Sequence, residues 1–237
     1  MNSADTILLQ TFDLQRDYAS EALTLSVLKG VSLTIHCGEM TFILGRSGSG
    51  KSTLLHLMGG LDTPTSGKIL FEGEDLTHMK EKELSRIRNR RIGFVFQQFY
   101  LLPELTVYEN VMLPGLIARK VDHQWIREIL RRVKLLSRKD HYPSEISGGE
   151  QQRTAIARAL TNRPSIVFCD EPTGNLDAES SESIFDLIGE LNEQYGQTFL
   201  TVTHDEALAW RYEKVYRLVD GILMRDQRGK IDMEQVQ

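Results

Sequence analysis

The chain has 237 residues, enough for one ordinary to large domain or one domain with a sizeable insertion, and it needs no disulfide or metal staples. Hydrophobic residues make up 41% and charged residues 26%, which excludes collagen-like, low-complexity and wholly disordered chains. Lys and Arg number 28 against 33 Asp and Glu, and the net charge of −5 speaks against an electrostatic nucleic-acid binder.

Cys37 and Cys169 are too few for a disulfide framework and are expected as reduced thiols in a cytosolic protein. Residues 1–5 are polar and lack the basic and apolar segments of a secretory leader. No apolar run reaches the roughly 18–20 residues that a membrane helix needs, so the chain is expected to be soluble.

In chain order, Ile7, Leu9, Phe12 and Leu14 alternate as in a half-buried strand, and residues 23–35 repeat the pattern. Residues 40–44 form a continuous apolar run, as in a strand buried on both faces. Ile69, Leu70 and Phe71, bounded by Gly67 and Gly73, read as a short strand, and 92–96 is a further apolar run. From 106 to 136 the pattern is helical, with Trp125, Ile126, Ile129, Leu130 and Val133 on one face. Residues 152–160 and 183–191 are also helical, and 166–169 and 198–202 are buried strands. Near the end, Asp220-Gly221 between two apolar runs is a hairpin signal. The pattern predicts an α/β core with an antiparallel annex near the N-terminus and a helical insertion over about 99–160. The core is then about 1–98 and 161–237 of a single domain.

The stretch Gly45-Arg46-Ser47-Gly48-Ser49-Gly50-Lys51-Ser52 matches the phosphate-loop pattern in full. It follows a buried strand and runs into a helix that begins near Thr53, which is the context the motif requires. Glycines let successive N–H groups converge on phosphate oxygens, and the helix N-terminus adds partial positive charge. Lys51 supplies a full charge to the β- and γ-phosphates, and Ser52 a hydroxyl to Mg²⁺.

A second apolar strand ends in Asp170-Glu171. Adjacent residues of an extended chain point apart, so the two carboxylates suit two jobs. Asp170 would hold Mg²⁺, mostly through water, and Glu171 would act as general base on the attacking water. Cys169 beside them reads as a small buried hydrophobe.

The stretch Ile146-Ser147-Gly148-Gly149-Glu150-Gln151-Gln152-Arg153 precedes an apolar helix and makes a second helix N-terminus for phosphate. It resembles the signature motif of the ABC ATPases, in which Leu and Gln usually stand where Ile146 and Glu150 do. Other family motifs follow in order. Tyr18 matches the aromatic that stacks on adenine, Gln97 the Q-loop glutamine, Asn175-Leu176-Asp177 the D-loop, and His204 the switch histidine.

That resemblance covers almost the whole chain and implies a P-loop ABC ATPase with a RecA-like core. It implies ATP and Mg²⁺ as ligands, with Ser52, Gln97 and Asp170 around the metal and Glu171, His204 and Gln97 in catalysis. It also implies a head-to-tail homodimer in which Ser147, Gly148 and Gly149 serve the partner's nucleotide, with Glu150 and Asp177 also among the nucleotide-binding residues. Integral membrane permease subunits are the implied partners, received near 99–111, and the site of work is the cytoplasmic face of the plasma membrane. Of the aromatic and apolar residues there, Phe99, Tyr100, Leu101, Leu102, Leu105 and Tyr108, about half are expected to be exposed.

Residues 54–62 and 170–177 resemble the branch that serves lipoprotein release, macrolide export and cell division. Gln98-Phe99-Tyr100 departs from the histidine-containing stretch typical of lipoprotein-releasing members. The alternatives are a regulatory ATPase acting on a cell-division membrane partner and a non-transport ABC ATPase. No nucleic-acid partner is expected, since Arg86, Arg88, Arg90 and Arg91 read as a solvated helix face.

Overall fold

The computed structural model describes residues 6–19 and 24–226. Leu23 and the polar Met1–Asp5 stretch lie outside them. The chain divides into two units, Met1–Thr77 with Leu200–Gln237, and His78–Phe199.

The first unit opens with β1 (Ile7–Ala19) and β2 (Thr24–His36), long strands paired antiparallel. After β3 (Met40–Leu44) and α1 (Lys51–Met58) come β4 (Ser66–Phe71) and the short β5 (Glu74–Asp75). The antiparallel sheet runs β2-β1-β4-β5, the annex expected from the alternation. Leu9, Leu14, Leu28, Ile35 and Phe71 are among its fully buried side chains. All five residues of β3 are buried, as a strand without polar alternation should be.

The second unit contains α2 (Glu81–Arg91), β6 (Ile92–Phe96), α3 (Val107–Ile117), α4 (His123–Arg132), α5 (Gly148–Ala159), β7 (Ile166–Asp170) and α6 (Ala178–Tyr195). Strands β6 and β7 are parallel, with Phe96 opposite Asp170 at their ends. The predicted helical stretch 106–136 is two helices. Arg119 turns left-handed (φ 54°) after α3, and Asp122 restarts the helix by accepting the Trp125 N–H at 2.9 Å. Helix α6 is longer than its apolar stripe. Asp177 caps its start through the Ser180 N–H at 2.9 Å, and Gly196 (φ 59°) ends it.

Strand β8 (Thr198–Thr203) leads back into the first unit, where it neighbours β3, and α7 (Glu206–Ala209) follows it. Then β9 (Lys214–Val219) lies parallel to β3 and antiparallel to β10 (Ile222–Arg225). Asp220 (φ 48°) and Gly221 (φ 81°) form the predicted hairpin turn. Among the described residues no helix is long and apolar enough to cross a membrane.

Candidate nucleotide site

The phosphate loop connects β3 to α1. Gly48 (φ 78°) and Gly50 (φ 99°) take left-handed conformations that side chains disfavour. A Cβ on Gly45 would lie 2.5 Å from Ser49 Oγ and 2.7 Å from the Leu218 carbonyl, so the loop closes tightly against β9. Lys51 is buried, and its Nζ donates to the Gly45 carbonyl at 2.8 Å and the Arg46 carbonyl at 3.2 Å. The ammonium is thus already held over the loop. Ser49 Oγ is buried with no hydrogen-bond partner among the described residues, so a polar ligand atom is the natural complement. Ser52 and Thr53 stand half-buried in the first turn of α1.

Strand β2 carries the annex to this loop. Its Val27 and Leu28 pack against Gly50, and its Leu25 pairs with Tyr18 of β1. Tyr18 is exposed, its hydroxyl donates to Asp62 Oδ2 at 2.8 Å, and the Arg16 guanidinium lies 4.4 Å from its ring centroid. One ring face is therefore occupied by the cation. His204 is exposed where β8 gives way to α7, a helix capped by Asp205 through the Leu208 N–H at 3.1 Å.

In the second unit β6 and β7 end on the paired residues Phe96 and Asp170, and Gln97 and Glu171 are the next residue of each chain segment. Gln97 Nε2 donates to Asn175 Oδ1 at 3.2 Å, and Asn175 Nδ2 donates to the Gln97 carbonyl at 3.0 Å. The two motifs are thereby joined. Glu171 departs from the extended geometry expected of it. Its φ is +46°, and the Gly174 N–H donates to its carbonyl at 3.0 Å, so the backbone turns at the catalytic candidate itself. Gln152 on α5 supports that turn, its buried amide donating to the Pro172 carbonyl at 2.5 Å.

Ser147 caps α5 in a reciprocal box, its Oγ accepting the Glu150 N–H at 3.2 Å while Glu150 Oε2 accepts the Ser147 N–H at 2.8 Å. That backbone hydrogen bond, with help from the Ser147 hydroxyl and Arg138, holds the Glu150 carboxyl below the usual range against some desolvation. Ile146, in the usual leucine position, is buried. Gly148 sits against Leu176 and Gly149 against Ser180, so signature and D-loop adjoin. Between them opens a cleft of about 390 Å³, lined in part by Ser147, Gly149, Arg153 and Ser180. Asp177 spends its carboxylate on the α6 cap, and hydrogen bonds from Ser180 hold its pKa down.

Sequence reasoning missed Arg158 and Asn110. Arg158 on α5 donates to the carbonyls of Tyr100 (2.5 Å) and Phe99 (2.8 Å). Asn110 on α3, fully buried, donates to the carbonyls of Leu102, Leu105 and Thr106. Asn110 is a polar residue on a largely apolar helix, which is a local signal, whereas Arg158 stands on a helix already rich in polar residues and gives none. Of the six aromatic and apolar residues in that loop and helix start, Tyr100 and Leu102 are exposed and the rest half-buried.

Among the described residues no three His, Cys, Asp or Glu side chains gather to hold a metal ion. Magnesium that relies on phosphate oxygens and water needs no such cluster, and donor types it accepts are present as the Ser52 hydroxyl in the first unit and the Asp170 carboxylate in the second.

Residues 28–174 match the ABC transporter family. The LolD ATP-binding protein of the lipoprotein-releasing system of Shewanella frigidimarina is 46% identical over 94% of this chain and 95% of its own. LolD of Shewanella denitrificans is 48% identical over 96% and 99%. Among solved structures, the dimeric ATP-binding cassette MJ0796 in a post-hydrolysis state with ADP and Pi is similar at TM-score 0.85 and 39% identity, over 92% of this chain and 98% of that one. CbiO1 of Clostridium perfringens, part of the cbiONQ ABC transporter complex, is similar at TM-score 0.82 and 30% identity, over 93% and 88%.

Proposed function

We propose, from the premise that this chain belongs to the ABC transporter family as an ATP-binding subunit that hydrolyses ATP, that it powers a membrane permease of the lipoprotein-releasing type. The observation that carries this reading is the likeness to two lipoprotein-releasing ATP-binding proteins over nearly the full length of each.

In this reading the loop N–H groups from Gly45 to Ser52 cradle the phosphates, with Arg46, Ser47, Gly48 and Ser49 forming the curve. Lys51 exchanges its loop carbonyls for phosphate oxygens. Mg²⁺, when bound, would screen the negative charge of the phosphates, and Ser52, Asp170 and Gln97 are the residues to hold it. Glu171 accepts the proton of the attacking water, and His204 donates a hydrogen bond toward the γ-phosphate. Tyr18 offers its remaining face to adenine, with Thr53 completing the binding turn. In a head-to-tail homodimer, Ser147, Gly148, Gly149 and Glu150 face the partner's nucleotide and Asp177 borders it. The existence of solved dimeric cassettes supports this arrangement. The helical subdomain of about 99–160, inserted between core segments 1–98 and 161–237, receives the permease at the cytoplasmic face of the inner membrane.

The test is to tag the Glu171→Gln form, trap it with ATP in native membranes, and identify what co-purifies. A permease of few membrane spans with a large external domain is the expected partner. Recovery of soluble or nucleic-acid partners alone would defeat the transport reading and leave the ATPase intact.

A further inference from the structure

Glu150 places a carboxylate where an uncharged glutamine usually stands in the family motif. In the dimer proposed above, that stretch faces a triphosphate, so the carboxylate adds a like charge beside an anionic ligand. The structure shows what meets that charge. One oxygen, Oε2, is turned back onto the Ser147 N–H at 2.8 Å. The other, Oε1, lies 3.4 Å from Arg138 Nε. Arg138 closes a one-turn 3₁₀ segment, Leu136–Arg138, in the connection between α4 and α5. The same guanidinium reaches His141 Nε2 at 3.2 Å, so two contacts hold it at the foot of the signature.

We infer that Arg138 is a positioning residue of the nucleotide site. Its guanidinium offsets the Glu150 carboxylate and keeps it folded onto the Ser147 N–H, so that the signature approaches phosphate without a net like charge. The Ser147 hydroxyl, oriented because its oxygen accepts the Glu150 N–H, keeps its proton to donate outward into the cleft. A glutamine at this position would need no such counter-charge, which makes the two residues a coupled pair. The inference rests on the reading that the signature meets a second copy's nucleotide.

An exposed ion pair of this kind shifts an equilibrium by about 1.4–5-fold. A symmetric dimer contains the pair twice, so its loss should weaken ATP-driven dimerisation by about 2–25-fold. The experiment uses the full chain carrying Glu171→Gln, with ATP, and reads the dimer dissociation constant by analytical ultracentrifugation. Arg138→Ala is expected to weaken the dimer by that factor, and Arg138→Lys to retain most of it. Adding Arg138→Ala to Glu150→Gln is expected to change nothing further. Binding of a fluorescent ATP analogue to the Arg138→Ala monomer, expected to match the parent, excludes misfolding as the cause. The inference is overturned if Arg138→Ala dimerises like the parent, or if its loss is as large with glutamine at 150. Ser147→Arg tells the two failures apart. If it blocks the dimer while Arg138→Ala does not weaken it, only the role of Arg138 falls. If Ser147→Arg dimerises like the parent, the signature does not face nucleotide, and both readings fall.

Discussion

Glu171 combines an unusual backbone with the role of proposed base. A non-glycine residue at φ +46° costs about 1–2 kcal/mol. The Gly174 N–H donates to the Glu171 carbonyl and the Gln152 amide to the next carbonyl, that of Pro172, so the turn is held just after Glu171. Glu171→Gln keeps shape and charge-independent contacts while removing the basic oxygen. It is expected to retain ATP binding and slow hydrolysis by about 10²–10⁴-fold, read as phosphate release in a single turnover. Unchanged turnover would remove Glu171 as the base. Lys51 invites the complementary experiment. Its ammonium is buried on loop carbonyls and needs no long reorganisation to meet phosphate. Lys51→Ala should abolish tight ATP binding in calorimetry, and an undisturbed affinity would sink the phosphate-loop assignment.

Helix α5 reaches beyond its signature end. From its C-terminal half Arg158 holds the Phe99 and Tyr100 carbonyls, and burial lowers its own pKa, the mark of a desolvated guanidinium satisfied by neutral acceptors. Asn110 on α3 secures the next carbonyls along the same loop. The segment after Gln97 is therefore fastened from two helices. Arg158→Ala leaves at least one of those carbonyls short of a partner and should cost about 1–3 kcal/mol of stability. Urea denaturation would show the loss, and limited proteolysis should cut first within 98–105. Resistance there equal to the parent would mean the loop does not depend on the arginine. None of this was visible in the chain's periodicity. The helical pattern of 106–136 located both helices but hid the turn between them, because Leu116 and Ile117 continue an apolar pattern while lying exposed.

At the scale of the whole molecule, folding stability carries a pH signature through Glu39. Burial raises its pKa, but hydrogen bonds from Lys214 (2.5 Å), Thr41 (2.5 Å) and the His36 N–H (3.0 Å) outweigh burial and leave it below the usual range. The cluster ties the end of β2 to β3 and β9. A carboxyl with a depressed folded pKa contributes stability that is present above its unfolded pKa of about 4.3 and lost as pH falls through the folded value. Lys214 remains partly exposed, so Glu39→Gln should cost about 1–3 kcal/mol at neutral pH, below the range for a fully buried pair. The difference in Tm between parent and variant should shrink as pH drops below about 4. A difference that stays constant across that range would show that Glu39 contributes by packing alone.

The sequence by itself determined the buried strands, the phosphate loop between a strand and a helix, the annex and the hairpin. Each of these is written in neighbouring residues: an unbroken apolar run, a glycine spacing, an Asp-Gly turn. It also placed Ser147 at a helix start, which the reciprocal cap with Glu150 bears out. Tertiary structure decided what those residues touch. Asp62 meets the Tyr18 hydroxyl, Asn175 meets Gln97, and Arg138 meets Glu150, pairs separated by 44, 78 and 12 positions. No local period encodes such partners, because they depend on which loops the packed strands and helices bring together. The left-handed turn at Glu171 belongs to the same class, since its strain is tolerated where contacts such as that of Gln152, from a separate helix, hold the backbone that follows it.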